Sequence, residues 1–389
     1  MTKKVYLDNA ATSPVRDEVI AVMTQALQEC YGNPSSIHSF GRSARSAIEK
    51  ARKSIAAHMG AQASEIIFTS GGTEADNMIL RCAVRDLEVE RILTTRIEHH
   101  AVLHTAEILA EETNVELEFI EVDSEGQPSM SDLENKLSAS PKKALVSLMH
   151  VNNEIGTIID IQKVAGLCEQ YEAYFHSDTV QSVGHYPWNV AELPIHFITA
   201  AAHKFHGPKG VGFAYIRKNT GMKSFIVGGG QERGFRAGTE PYHNILGMEK
   251  ALDLALENMD KEKAYVKDLK SYFIDQLEER IPGIAFNGCS SDLEKSTYTL
   301  VNTRLPLNEQ QALMLLFHLD LKGIACSKGS ACQSGSEGGS HVLAQVLDEK
   351  QNRCPSLRFS FSIYNTKEEL DYVVEVLEAF VKEGAVAKV

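Results

Sequence analysis

The stretch Ala202-His203-Lys204-Phe205-His206-Gly207-Pro208-Lys209-Gly210 closes an apolar run that begins at Phe197. A lysine placed there, between two histidines and ahead of a Gly-Pro-Lys-Gly turn, belongs at a strand end rather than on a solvated helix face. Desolvation at such a place lets the amine lose its proton and form a Schiff base with a carbonyl. Upstream, His176-Ser177-Asp178-Thr179-Val180-Gln181 puts a carboxylate at the end of a second apolar run. An anchoring lysine and a carboxylate for a pyridinium nitrogen are the two protein groups a pyridoxal phosphate enzyme needs most.

From about Glu65 to Ile216 the chain alternates short apolar runs with helical patterns. Ile66-Ile67-Phe68-Thr69 leads into a helix opening at Thr73, with Thr73 suited to cap it. Arg91-Ile92-Leu93-Thr94 leads into a helix starting near His99, and residues 144–149 lead into the loop Asn152-Asn153-Glu154-Ile155-Gly156. This order predicts an α/β fold with a mainly parallel sheet between helices. Ligands bind such sheets beyond the carboxyl ends of the strands, which is where the polar clusters fall. After Tyr242 the pattern changes to amphipathic helices over about 242–258 and 261–280, strands near 296–301 and 356–360, and a last helix around 367–382. Two domains are expected: a large cofactor-binding α/β domain over 14–248, and a smaller α+β domain from 1–13 and 249–389.

Composition narrows the class. The chain has 389 residues, and its formal net charge of -13 argues against nucleic acid as a partner, because phosphate backbones require a basic face. Seven cysteines are scattered without paired spacing, which reads as reduced thiols and neither a disulfide framework nor a metal site. The N-terminus has no apolar leader, and no segment approaches the ~20 apolar residues of a membrane span. A soluble cytoplasmic protein with no membrane partner is expected.

Each remaining cluster admits an ordinary reading beside a functional one. Thr69-Ser70-Gly71-Gly72-Thr73-Glu74-Ala75 is either a plain glycine turn or a helix start whose N–H groups hold a phosphate. His99 and His100 are either solvated loop histidines or the source of an imidazole that stacks on a pyridine ring; spacing alone selects neither. Asp178 can simply satisfy a helix N-terminus, or keep a pyridine nitrogen protonated. Gln181 can reach a ring hydroxyl, and Asn153 can contribute there or to a substrate carboxylate. The loop 228–239 is glycine-rich and basic, with Arg236 and Thr239 suited to phosphate. Cys332 lies in a run of small polar residues over 326–340, of which 332–340, without a large apolar side chain, is predicted mobile and exposed, whereas free cysteines are ordinarily buried and inert. That placement favours a reactive thiol; Cys326, beside an apolar run, reads as structural.

Taken together these motifs resemble the NifS/IscS-like cysteine desulfurases, fold-type I pyridoxal phosphate enzymes of the class V aminotransferase type. The resemblance covers nearly the whole chain, through 6–12, 32–38, 69–77, 98–102, 151–157, 178–181, 203–212, 236–239, 329–332 and 357–360. It implies a seven-stranded, mainly parallel sheet in the large domain, pyridoxal 5'-phosphate as cofactor, and a homodimer. By the same resemblance Lys204 is the Schiff-base lysine, Asp178 the pyridinium partner, Gln181 the ring-oxygen donor and His99 the stacking histidine. Gly72, Thr73 and His203 match phosphate contacts, as does Thr239, reaching across the dimer. Asn153 and Arg358 match the substrate-carboxylate side, and Cys332 the sulfur-accepting nucleophile. Three positions depart from the family pattern: Ala201 stands where a phosphate-binding serine is usual, Phe361-Ser362-Ile363 replaces Leu-Gly-Arg, and residues 333–340 differ after Cys332.

The implied reaction is a sulfurtransferase: L-cysteine becomes L-alanine, Lys204 and His99 move the α-proton, and Cys332 carries the sulfur off as a persulfide. A thiol is required because the carrier must hold sulfane sulfur and release it to another thiol. The expected acceptor is an iron–sulfur scaffold or a thiolation protein. The rivals are a selenocysteine lyase, another fold-type I enzyme such as an aminotransferase, and a cofactor-free carrier.

Overall fold

A computed structural model describes residues 3–307, 309–328 and 339–386. Twelve strands are named in chain order: β1 Val5–Tyr6, β2 Ile66–Thr69, β3 Arg91–Thr94, β4 Glu116–Phe119, β5 Ala144–Ser147, β6 Tyr174–Asp178, β7 Phe197–Ala201, β8 Gly212–Ile216, β9 Ala285–Phe286, β10 Leu300–Arg304, β11 Ile324–Ala325 and β12 Ser356–Ser360.

The large sheet has seven strands in the order β2-β8-β7-β6-β5-β3-β4. Four neighbouring pairs are parallel, and β8 runs antiparallel to both β7 and β2. Strands β2, β3, β5, β7 and β8 are buried along their whole length, as expected of a sheet covered on both faces. Successive residues divide between two separate cores: Phe68, Leu93, Val146, Ile198 and Tyr215 pack on one face, and Ile67, Ile92, Leu145, Phe197 and Ala214 on the other. This is the alternation a pleated strand imposes. The edge strand β4, Glu-Leu-Glu-Phe, is half open, and its charges blunt the free edge.

A third core lies apart from these two. It joins Val5 and Leu7 to Leu269, Phe273, Leu319, Phe359 and Val374. Its sheet sets β10 between β9 and β12, all antiparallel, while β1 pairs in parallel with β11. The first residues of the chain are thus built into the same body as the last third.

Three local expectations are corrected. The strand expected near 296–301 is β10, which begins at Leu300. Ser296 and Thr297 instead form a buried turn in which both accept a proton contact from Lys270, at 2.7 Å through Ser296 Oγ and the Thr297 carbonyl. The run 144–149 is strand only as far as Ser147. Thr73 does not cap its helix: the helix is Gly72–Asp86, Gly71 is the cap residue, and no side chain caps it. Gly71 reaches φ 153°, ψ -176°, a conformation open essentially to glycine alone, which leaves the first amide N–H groups of the helix unclaimed.

Candidate active site

Because β2, β3, β5, β6 and β7 all point the same way, their carboxyl ends open on one side of the sheet. There a cavity of about 250 Å³ is lined by Gly72, Thr73, His99, Asn153, Asp178, Gln181, His203, Lys204 and Arg358. Sequence reasoning proposed those nine for the site, and the fold brings all of them together. Thr239 and Arg236 are not among them. They lie in a separate recess with Ser70 and Glu232, and Arg236 is committed to Glu74 through two bonds of 2.8 and 3.1 Å. Within one chain Arg236 is paired to the helix-start residue Glu74. Cys332 lies outside the described residues.

Lys204 ends a short 3-10 turn, Ala202–Lys204, that continues directly from β7. Its Nζ donates to the carbonyls of Ala10 at 2.6 Å and Ala11 at 2.9 Å. Gln181 Nε2 donates to the same Ala10 carbonyl at 2.9 Å. The turn is locked from behind: the His206 amide donates to Ser13 Oγ at 2.8 Å, and His185 Nε2 lies 3.1 Å from the Lys204 carbonyl.

His99 caps the helix His100–Glu112, its Nδ1 accepting the Ala101 amide at 3.1 Å. A neutral ring there carries its proton on Nε2. Burial, with Lys204 next in effect, pulls His99 down to about 4, so the imidazole is neutral at ordinary pH. His100 also lines the cavity, but its ring stacks between His104 and His341, with both centroid distances 4.3 Å. His203 is pulled down to about 4 by burial and by Lys204, and its buried Nδ1 has no hydrogen-bond partner.

The floor of the cavity is acidic. Burial pushes Asp178 up to about 7, the neighbouring Asp76 adds to the rise, and the Val180 amide at 2.9 Å opposes it. Burial pushes Asp76 up to about 7 as well. Outside the lining, in an adjoining recess, burial holds the carboxyl of Glu98 well above the usual carboxylate range, though it accepts the Met149 amide. The facing wall carries a cation: Arg358, 2 % exposed, donates to Asp8 at 2.9 Å and to the Asn153 carbonyl at 2.8 Å, and its buried Nε has no partner. Ser340 Oγ donates to Glu154 at 2.5 Å and His341 Nε2 donates to the Glu98 carbonyl at 2.9 Å, which ties the chain just after the Cys332 segment to this rim.

Asp76, Glu98, Glu154, Asp8 and His341 are the residues that sequence reasoning did not select. Asp76 and Glu98 lay inside stretches already singled out, and their one signal was a carboxylate one helical turn past Thr73 or directly before His99. The cavity thus offers an amine, a carboxyl beneath it, free helix-start amides, an orphaned imidazole nitrogen and an arginine opposite. A Cβ on Gly72 would meet Val180 Cγ2 at 2.6 Å, so the helix start can approach the floor only as glycine. A flat, cationic-ringed, phosphorylated group satisfies all of these demands together, and an apolar ligand satisfies none.

The class-V aminotransferase family model matches residues 5–373. The cysteine desulfurase IscS of Dictyoglomus turgidum is 44% identical over 384 residues, covering 98% of this chain and 95% of that protein. Among solved structures, a NifS-like protein superimposes with a TM-score of 0.88 at 33% identity, covering 98% of this chain and 100% of the other. A protein titled SspA in complex with cysteine superimposes with a TM-score of 0.79 at 29% identity, over 93% and 99% of the two chains. This chain belongs to the class-V aminotransferase family, among its NifS/IscS-like cysteine desulfurases.

Proposed function

We propose that this chain is a pyridoxal phosphate-dependent cysteine desulfurase that turns L-cysteine into L-alanine and takes the sulfur on Cys332 as a persulfide. The observation that carries the reading is the meeting of Lys204 and Asp178 in one cavity with the uncapped Gly72–Thr73 helix start. This donor set fits pyridoxal 5'-phosphate. Lys204 would be its covalent anchor and Asp178 the partner of its ring nitrogen. Gln181 would meet the ring oxygen, and His99 would lie against the ring. Gly72, Thr73 and the orphaned nitrogen of His203 would hold the phosphate. Once bound, the cofactor supplies an electron sink for bonds at the substrate α-carbon.

The chain's own groups do the rest. Arg358, with an N–H to spare, and Asn153 orient the substrate carboxylate. Lys204 Nζ would accept the α-proton, and neutral His99 offers an N–H beside it. The Cys332 thiolate attacks the substrate sulfur. A sulfur–sulfur bond forms, the carbon–sulfur bond breaks with its electron pair left on the substrate, and two protons, one delivered to the β-carbon and the one held by Lys204 returned to the α-carbon, complete alanine.

The reading extends to assembly. Tyr31, Ile37, Phe40 and Val227 are large apolar side chains left 52–89% exposed, and Gln231 bonds the Ser35 hydroxyl, which joins the two loops that carry them. Such a patch supports a homodimer, with Thr239 serving the partner's phosphate because it stands outside its own cavity. The core that joins Val5 and Leu7 to Leu269 and Phe359 supports a smaller domain built from both ends of the chain, but Ala251 and Leu252 pack in the large core, so the helix Tyr242–Glu257 belongs with the large domain and the boundary falls after it instead of at 248. Among the described residues no helix is long and apolar enough to cross a membrane, and unpaired cysteines fit a cytoplasmic setting. The acceptor is an iron–sulfur scaffold or a thiolation protein. The test is Cys332→Ser: the variant should bind cofactor and lose sulfide and persulfide production. Sulfide release at the wild-type rate would sink the assignment.

A further inference from the structure

Beneath the cavity floor, Asp76 and His176 form a buried pair that the reaction described above does not use. Asp76, 1 % exposed, stands on the helix Gly72–Asp86 and lines the cavity beside Asp178. His176, fully buried, stands two residues before Asp178 on β6. Asp76 Oδ1 lies 3.5 Å from His176 Nε2, longer than a normal hydrogen bond, and neither atom has a hydrogen-bond partner. His176 Nδ1 is already engaged, 2.8 Å from Ser147 Oγ. Two atoms that both present lone pairs would repel one another in this dry site, so a proton belongs between them.

Asp76 and Asp178 line the cavity and Glu98, outside its lining, interacts electrostatically with both, and the three acids are not equally equipped to carry charge. Glu98 accepts the Met149 amide and the Thr95 hydroxyl. Asp178 accepts the Val180 amide. Among the described residues no backbone N–H reaches Asp76; its polar neighbours are the Thr199 hydroxyl and His176. The charged and titratable groups that face the Asp76–Asp178 pair are His176 from β6, Glu98 from the loop after β3, and Lys204 from the end of β7. Adjacent buried carboxyls do not both ionise cheaply, and the one without N–H donors keeps the proton. Burial also keeps His176 neutral, pulling it down to about 4.

We propose that Asp76 and Asp178 hold one proton as a unit, with Asp76 the neutral acid donating to His176 Nε2 and Asp178 the carboxylate that faces the cofactor nitrogen. Asp76 is then a positioning residue. It gives Asp178 the only negative charge of the pair and fixes the His176 tautomer, whose Nδ1–H donates to Ser147. The inference rests on the reading of Asp178 given above.

The test compares Asp76→Ala, Asp76→Asn and Asp178→Asn, all as purified apoprotein titrated with pyridoxal 5'-phosphate. Asp76→Ala should weaken cofactor binding about tenfold, the size of one lost buried hydrogen bond, and Asp76→Asn, which keeps a neutral donor toward His176, should restore most of it. Carbon-13 NMR of the aspartate carboxyls in the apoprotein should show two steps in wild type, the lower belonging to Asp178 and the higher to Asp76; Asp76→Asn should remove the higher step and leave the Asp178 titration close to its wild-type position, because the proton that Asp76 held is replaced by a neutral amide. Asparagine as damaging as alanine, or an Asp178 titration that falls to clearly lower pH in Asp76→Asn (the sign of a charged Asp76 in wild type), overturns the proposal. Asp178→Asn binding cofactor as tightly as wild type removes the assignment of Asp178 itself, a failure distinct from any result at position 76. The wild-type protein alone supplies a check that needs no variant to fold: one carboxyl of the pair still protonated near neutral pH supports the proposal, and both ionised contradicts it.

Discussion

The two walls of the cavity are built by different means. One wall is strand-end backbone. Gly72, Asp178 and Lys204 each fall within four residues of the carboxyl end of a strand, and the register Asp178↔Thr199 between β6 and β7 fixes two of those ends relative to each other. These groups cannot shift without breaking a sheet ladder. The opposite wall is assembled from side chains of distant origin: Arg358 on β12, Asp8 near the start of the chain, and the Asn153 carbonyl, joined by bonds of 2.8–2.9 Å. A wall of that kind is set by an ion pair, and an incoming carboxylate competes for the same cation. The cofactor side is therefore rigid, and the substrate side is the adjustable one.

The contrast can be broken most severely at Lys204. Lys204→Ala should lower alanine formation by about 10²–10⁴-fold, since general acid–base transfer alone contributes that much, while the circular dichroism spectrum stays as in wild type. On the other wall Arg358→Lys keeps the charge and loses the fork. Its KM for cysteine should rise about tenfold or more, the cost of a charge-assisted hydrogen bond, with cofactor affinity unchanged; a loss of cofactor would mean the two walls are not separable.

The sequence made the rigid wall legible because its signals are local. A lysine following an apolar run, a Gly-Gly helix start and an aspartate ending a strand are each read within ten residues. The adjustable wall is not local. Asp8 and Arg358 are 350 positions apart, and nothing in either neighbourhood announces the other. Distance in the chain also hid the Asp76–His176 contact, although both residues lie inside motifs already marked. One local reading failed for a physical reason, and another is set against an observed pairing. Thr73 is a good capping residue, but the glycine at 71 takes the cap position. Arg236 is basic and near a glycine loop, but Glu74 occupies it and Glu232 is held by Arg52 at 2.6 and 2.8 Å, which fixes the loop away from the cavity.

The comparison sharpens with pH. His99 and His203, both held down to about 4 by burial, should give proton NMR signals that do not move between neutral pH and about pH 5. The sign for stability follows: in the unfolded chain each ring binds a proton near its ordinary value of about 6.5, and in the folded chain only near 4. Each therefore removes stability as pH falls from about 7 toward 4, and His203→Asn should make the acid-side drop in melting temperature shallower. The smallest effect is expected at Ala201, buried on the cavity wall. Ala201→Ser adds a hydroxyl at the cavity wall, and should tighten pyridoxal phosphate binding about fivefold, the value of one hydrogen bond near 1 kcal/mol.

The central claim is that sulfur leaves cysteine on one particular thiol. The direct measurement is brief incubation of the holoprotein with L-cysteine, followed by alanine quantification and peptide mass spectrometry of all seven cysteines. The account predicts alanine in step with one added sulfur atom on the peptide carrying Cys332. Alanine formed with the extra sulfur on Cys326 or another cysteine, or with none on any, would contradict it.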